Sequence, residues 1–139
     1  MAALDTNVLV RFLVQDDAAQ GNAASRLIED AGRTDSPLFV STTVLLELVW
    51  VLRSAFGFDK SAVSRTLHGL LGATELEIES EAALEFALML YEGSAADFAD
   101  CLHVALAADR AKSPMWTFDK AASRLDGARL LTPAWPGIR

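Results

Sequence analysis

Short stretches of strand character alternate with helical stretches along this chain, and that alternation narrows the folds open to it. Residues 2–4, 37–41, 74–78, 114–118 and 129–132 read as strands. Helical character fills the intervals. It runs over 7–14 and 18–31, broken near Asp16-Asp17 and closed by Gly32, and then over 44–55, capped by Ser41 or Thr42 and ended by Gly57. Further helices start at Asp59 or Ser61 and stop at Gly72, run from Ser80 to near Gly93, run from a cap at Ser94 or Asp97 to about Lys112, and cover 120–125. The 133–139 tail, with Trp135 between two prolines, reads as irregular. Such an order predicts an α/β protein with a mostly parallel central sheet covered on both faces, a three-layer α/β/α arrangement. No repeat, linker or low-complexity tract interrupts the 139 residues, so the expectation is a single domain over 1–139.

Within that frame, acidic side chains stand among residues that favour burial. Asp5 follows Ala2-Ala3-Leu4, and Glu47 is the one charge in the run from Val44 to Leu52. Asp100 lies in the apolar 95–106 stretch, and Asp119 follows Met115-Trp116-Thr117-Phe118. A carboxylate in such a setting is costly unless something positive meets it. A hard divalent cation, which takes oxygen ligands, is the most economical shared partner. In open parallel sheets ligands gather at the carboxyl ends of strands. Asp5 and Asp119 each follow a strand, and Glu47 and Asp100 sit early in helices expected to leave the same edge, so all four are expected on one rim.

The bulk composition sets limits on partners. The formal net charge of −7 argues against a broad basic face binding nucleic acid through phosphates alone, although bound divalent ions reverse the potential of an acidic cleft. Two histidines and the single Cys101 offer no zinc set, and Cys101 reads as a small apolar residue on a buried helix face. The start of the chain shows no signal peptide and no apolar run is long enough to span a membrane, so a reducing, cytoplasmic setting is expected. Hydrophobic residues make up 52% of the chain, which points to apolar surface covered by a partner or a second copy.

Each acid also has a plain structural reading. Asp5 and Asp119 suit helix N-caps, and Ser94-x-x-Asp97 resembles a capping box. Asp97 and Asp100, three apart, are like-charged neighbours on one helix face, a pairing that disfavours a purely structural role. Glu47 is the hardest to explain as structure. Thr6, Asn7 and Thr117, short and polar beside Asp5 and Asp119, fit residues that orient ligands. Arg11, Arg53, Lys120 and Arg124 flank the acids and read as solvated charges, with contact to phosphate as the sharper alternative. His103, one turn past Asp100, reads as a histidine at the core margin, with a proton carrier as the alternative.

The fragments Leu4-Asp5-Thr6-Asn7-Val8-Leu9, Phe39-Val40-Ser41 followed by Glu47-Leu48-Val49-Trp50-Val51-Leu52, Ala96-Asp97-Phe98-Ala99-Asp100-Cys101-Leu102-His103 and Thr117-Phe118-Asp119-Lys120 resemble, in order and spacing, the PIN domain. The likeness is specifically to the VapC toxins of type II toxin-antitoxin systems, and it runs from residue 4 to about 131. It implies a PIN-like α/β fold and an endoribonuclease that uses Mg or Mn. By position it assigns the metal-binding, catalytic acids to Asp5, Glu47, Asp100 and Asp119, with Asp97 either an extra ligand or only a helix-start acid. Thr6, Asn7 and Thr117 would support those acids, and Arg11, Arg53 and Lys120 would meet RNA. The resemblance also implies a VapB-like antitoxin partner, and with the apolar fraction it implies a homodimer.

Metal-ion cleavage of a phosphodiester accounts for several acids and no activated serine or cysteine. A haloacid-dehalogenase-type phosphatase also places an Asp after its first strand but wants a second Asp two residues on, where this chain has Asn7. A receiver domain wants an acidic pair beside that strand, and Leu4-Asp5-Thr6 offers one acid. The other alternative is a non-catalytic RNA-binding or protein-interaction domain of the same fold.

Overall fold

The structure, a computed structural model, describes residues 2–138. The chain forms two compact units, Met1–Glu81 and Ala82–Arg139. Every strand pairing among the described residues is parallel, and helices separate the strands, so the α/β class expected from the sequence is the one observed.

In the first unit the expected strand at 2–4 is reduced to one parallel bridge, Ala3 to Phe39. Leu4 N–H donates to Phe39 O at 2.9 Å and Phe39 N–H to Ala2 O at 2.8 Å. Helix α1 (Thr6–Val14) starts at once from the Asp5 N-cap. It stops at Gln15, which takes the left-handed conformation (φ 58°), and Asp17 caps α2 (Ala18–Arg33) by accepting from Gln20 N–H at 2.9 Å. Helix α2 runs through Gly32 instead of closing there, and the left-handed turn is taken by Asp35 (φ 51°), a residue type that tolerates it. Gly32 serves close approach: a Cβ there would lie 3.0 Å from Glu75 Cγ.

Strand β1 (Leu38–Val40) pairs with β2 (Leu76–Ile78) in the register Leu38 to Leu76. Both bury alternate residues, as a half-covered strand should: Leu38 and Val40 on one, Leu76 and Ile78 on the other. Between them lie α3 (Thr42–Phe56) and α4 (Lys60–Leu71). The N-terminus of α3 is capped twice. Ser41 Oγ accepts from Val44 N–H at 3.2 Å, and the Glu79 carboxylate from Thr42 N–H at 2.8 Å. Gly57, left-handed at φ 66°, ends α3, and Asp59 caps α4 through Ala62 N–H at 2.8 Å. Leu9, Val40, Leu45, Leu48, Leu52, Val63 and Leu67 are fully buried and form the core of this unit.

The second unit is built from α5 (Glu81–Glu92), α6 (Phe98–Asp109), β3 (Met115–Thr117), the one-turn α7 (Lys120–Ser123) and β4 (Ala128–Leu130). Its core combines Leu84, Ala87 and Leu88 of α5 with Cys101, Leu102 and Val104 of α6, and Tyr91 meets Phe98 edge-to-face at 5.7 Å. Cys101 is buried, as its place in an apolar helix suggests. The Ser94-x-x-Asp97 capping box does not form. Ala95 and Ala96 stay outside the helix, so Asp97 itself is the N-cap residue, in extended geometry, and Ser94 Oγ accepts from Ala96 N–H at 3.3 Å instead. Strands β3 and β4 are parallel, with Trp116 opposite Arg129. Among the described residues no helix is long and apolar enough to cross a membrane.

Candidate functional site

The premise that the acids are buried does not hold. Asp5, Glu47, Asp97 and Asp119 are exposed, and only Asp100 is partly buried. The reason is geometric. An α-helix turns by about 100° per residue, so Glu47 leaves α3 on its solvent side while Leu45, Leu48 and Val49 go inward. Asp5 and Asp119 lie at chain turns just after strand segments, where side chains reach water.

In the first unit Asp5 and Glu47 are linked through Thr6. Asp5 Oδ1 accepts from Thr6 N–H at 2.8 Å, and the Thr6 hydroxyl donates to Glu47 Oε1 across 41 residues of sequence. Thr6 is 3% exposed, so a buried hydroxyl of α1 holds one oxygen of an exposed carboxylate on α3 and removes much of its rotamer freedom. Asn7 is exposed in the first turn of α1. Arg11 is occupied locally: its guanidinium meets both oxygens of Asp16 at 3.0 Å and the Gln20 side-chain oxygen at 2.7 Å. Arg53 is exposed in the last turn of α3. A cleft of about 330 Å³ lined by Pro37, Leu71, Thr74, Leu76, Glu77 and Glu81, among others, contains none of the candidate acids.

In the second unit the charges of Asp119 and Asp97 act on Asp100. The Asp100 carboxyl titrates above the ordinary carboxylate value, first because burial disfavours its charge, then because the charges of Asp119 and Asp97 repel it. His103 opposes the shift weakly, from an exposed position on α6 and not from the core margin. Asp97 makes no side-chain capping bond although it occupies the N-cap. Asp119 does cap: its Oδ1 accepts from Ala122 N–H at 2.8 Å, while its own N–H donates to Thr117 Oγ1 at 3.0 Å. That leaves Asp119 Oδ2 outside the capping bond. Lys120 and Arg124 are exposed at the two ends of α7.

Two aromatic residues escape the sequence reading, which counts them with the apolar core. Trp50 is 70% exposed three residues beyond Glu47 on α3, and Phe118, directly before Asp119, is 69% exposed. The signal was present: i to i+3 spacing puts Trp50 on the face of Glu47, and strand alternation carries Phe118 outward with Trp116.

All the candidate ligands are carboxylate oxygens, a donor set that fits a hard divalent ion and no soft one. The repulsion felt by Asp100 is of the kind a cation would relieve. Among the described residues, however, no three His, Cys, Asp or Glu side chains are drawn together closely enough to share a metal ion as they stand.

Parallel strand–helix units with acids after the strand segments and at helix starts define a class, and comparison with known families names it. The PIN domain model matches residues 2–128, and this chain belongs to the PIN domain family. Among curated proteins it is similar to a VapC ribonuclease of Aquifex aeolicus (strain VF5), with 26% identity over 102 residues that cover 73% of this chain and 75% of the relative.

Proposed function

We propose that this chain is a Mg- or Mn-dependent endoribonuclease and the toxin of a VapBC-type toxin-antitoxin module. The observation that carries the reading is the PIN domain match over residues 2–128, in a chain where Asp97 and Asp119 lie close enough to Asp100 for their charges to act on it. In this reading residues 1–139 act as one nuclease domain. Asp5, Glu47, Asp100 and Asp119 hold the metal, with Asp97 as a further acid beside Asp100.

Bound Mg or Mn would supply positive charge beside the scissile phosphate and lower the pKa of a water molecule. The chain's own residues orient the site. Thr6 holds Glu47 through its hydroxyl, and Thr117 fixes the turn from which Asp119 projects. Asn7 lies beside Asp5, and Arg53 and Lys120 are assigned as contacts for RNA. Arg11 is a weaker candidate for that role, because its guanidinium is already paired with Asp16. The partners of this reading are an RNA substrate, a VapB-like antitoxin and a second copy of the chain, in the cytoplasm.

The test is cleavage of RNA with Mg or Mn, with chelator, and with Asp100→Asn. Activity is expected only with metal and only in the wild type. The wild type should also gain melting temperature with Mn by mass action, and Asp100→Asn should start no lower in chelator and gain less. Equal cutting after chelation refutes the metal role. A folded wild type that binds RNA but never cuts it would establish the non-catalytic alternative.

A further inference from the structure

The basic charge of this acidic chain is gathered at one end. Residues 110–139 hold six of the twelve Lys and Arg but two of the nineteen Asp and Glu, a net of +4, so residues 1–109 carry −11. The same segment folds into β3, α7 and β4 with an aromatic cluster on the outward face. Trp116 on β3 packs against Trp135 with ring centroids 5.4 Å apart and planes tilted by 49°, and the Arg129 guanidinium of β4 lies 5.5 Å from the Trp116 ring centroid. Trp116 is 40% exposed, Trp135 39% and Phe118 69%, and Lys120 and Arg124 are exposed on the neighbouring α7.

Apolar aromatic surface that remains in water is unfavourable unless a ligand uses it. Exposed rings interleaved with cations suit one ligand chemistry above others: an anionic backbone carrying planar bases. We propose that the outward face of β3 and β4, formed by Trp116, Phe118, Arg129 and Trp135, is a platform for single-stranded RNA. Phe118 stacks an unpaired base next to Asp119, and Arg129, Lys120 and Arg124 meet phosphates. The Trp116–Trp135 contact fixes the platform by tying the 132–136 turn to β3, with Trp135 N–H donating to Thr132 O at 3.0 Å. The assignment rests on the ribonuclease reading for the identity of the ligand, but it concerns binding and not cleavage. An apolar protein partner is the competing occupant, and the exposed cations Lys120, Arg124 and Arg129 on α7 and β4 favour RNA.

The experiment titrates a fluorescently labelled 12-nucleotide single-stranded RNA with the full chain in chelator, so that nothing is cut, and follows anisotropy and tryptophan quenching across salt concentrations. Phe118→Leu keeps apolar bulk but removes the π face, and is expected to weaken binding by on the order of 10-fold, the loss of one stacked base. Arg129→Gln should lower the magnitude of the salt slope by about 0.7, one phosphate contact on a single strand. Both positions are on the surface, and a circular dichroism melt of each variant confirms its fold. Wild-type affinity and salt slope in both variants overturn the platform, even if the wild type cuts RNA and the nuclease reading stands. Weakened binding in both supports it, even if no cleavage is ever seen and the nuclease reading falls. A Phe118→Leu protein whose RNA affinity is unchanged while it dissociates from a second copy assigns the face to a protein contact and overturns the proposal.

Discussion

Asp119 has two separable duties, and a pair of substitutions pulls them apart. Its Oδ1 accepts from Ala122 N–H at 2.8 Å and starts α7, while its charge contributes to the raised pKa of Asp100. Asparagine is as good an N-cap as aspartate, because the amide oxygen accepts the same bond, so Asp119→Asn keeps the cap and removes the charge. Asp119→Ala removes both. The difference between the two variants is therefore the cap alone, about 1 kcal/mol, or about 3 °C of melting temperature for a chain of this size. The charge acts in the other direction. Asp100 has a higher pKa folded than unfolded, so folding takes up protons. The stability this contributes is present below the unfolded pKa and lost as pH rises through the folded one. Asp119→Asn should flatten that loss, because burial and Asp97 remain as causes but Asp119 does not. Thermal melts in chelator from acid to neutral pH, together with RNA cleavage in Mn, read out both duties. Asp119→Asn should melt no lower than the wild type at neutral pH and cut RNA far more slowly. If Asp119→Asn cuts at the wild-type rate, Asp119 is a helix cap and no more. If it melts as low as Asp119→Ala, the capping geometry is misread.

Thr6→Val keeps the shape of a buried residue but deletes the hydroxyl that holds Glu47, so Mn-dependent cleavage should fall, with a stability loss of about 1 kcal/mol. Unchanged kinetics in a folded Thr6→Val protein would show that Glu47 needs no positioning. Gly127→Ala should lower stability by about 1–3 kcal/mol, because φ is +96° there and the new Cβ would lie 3.1 Å from Val104 Cγ1. A calorimetric melt equal to the wild type would contradict that strain.

Local chemistry made much of the fold legible. Ser41, Asp59 and Gly57 terminate helices where their residue types direct, because a cap is a bond or a dihedral between near neighbours in the chain. The strand segments around 38–40 and 115–117 showed as short stretches of strand character and that around 76–78 as an alternation of polar and apolar residues, and their alternation with helices called for the parallel pairing observed. The family resemblance over residues 4 to about 131 was likewise a property of spacing, and the PIN domain match over 2–128 agrees with it.

What sequence misjudged was direction. Glu47 looks buried in a linear apolar run, yet helical rotation carries it to solvent, and an intended Ser94 capping box lost to a helix that begins at Phe98. The pairing of Thr6 with Glu47, the repulsion between Asp100 and Asp119 and the stacking of Trp116 on Trp135 join residues far apart in the chain. Residue types and their order along the chain were enough to name the acids and the elements that carry them. Which side chains share a hydrogen bond, a charge or a ring face was decided only when the elements packed, because those energies depend on distances of a few ångströms that spacing along a chain does not contain.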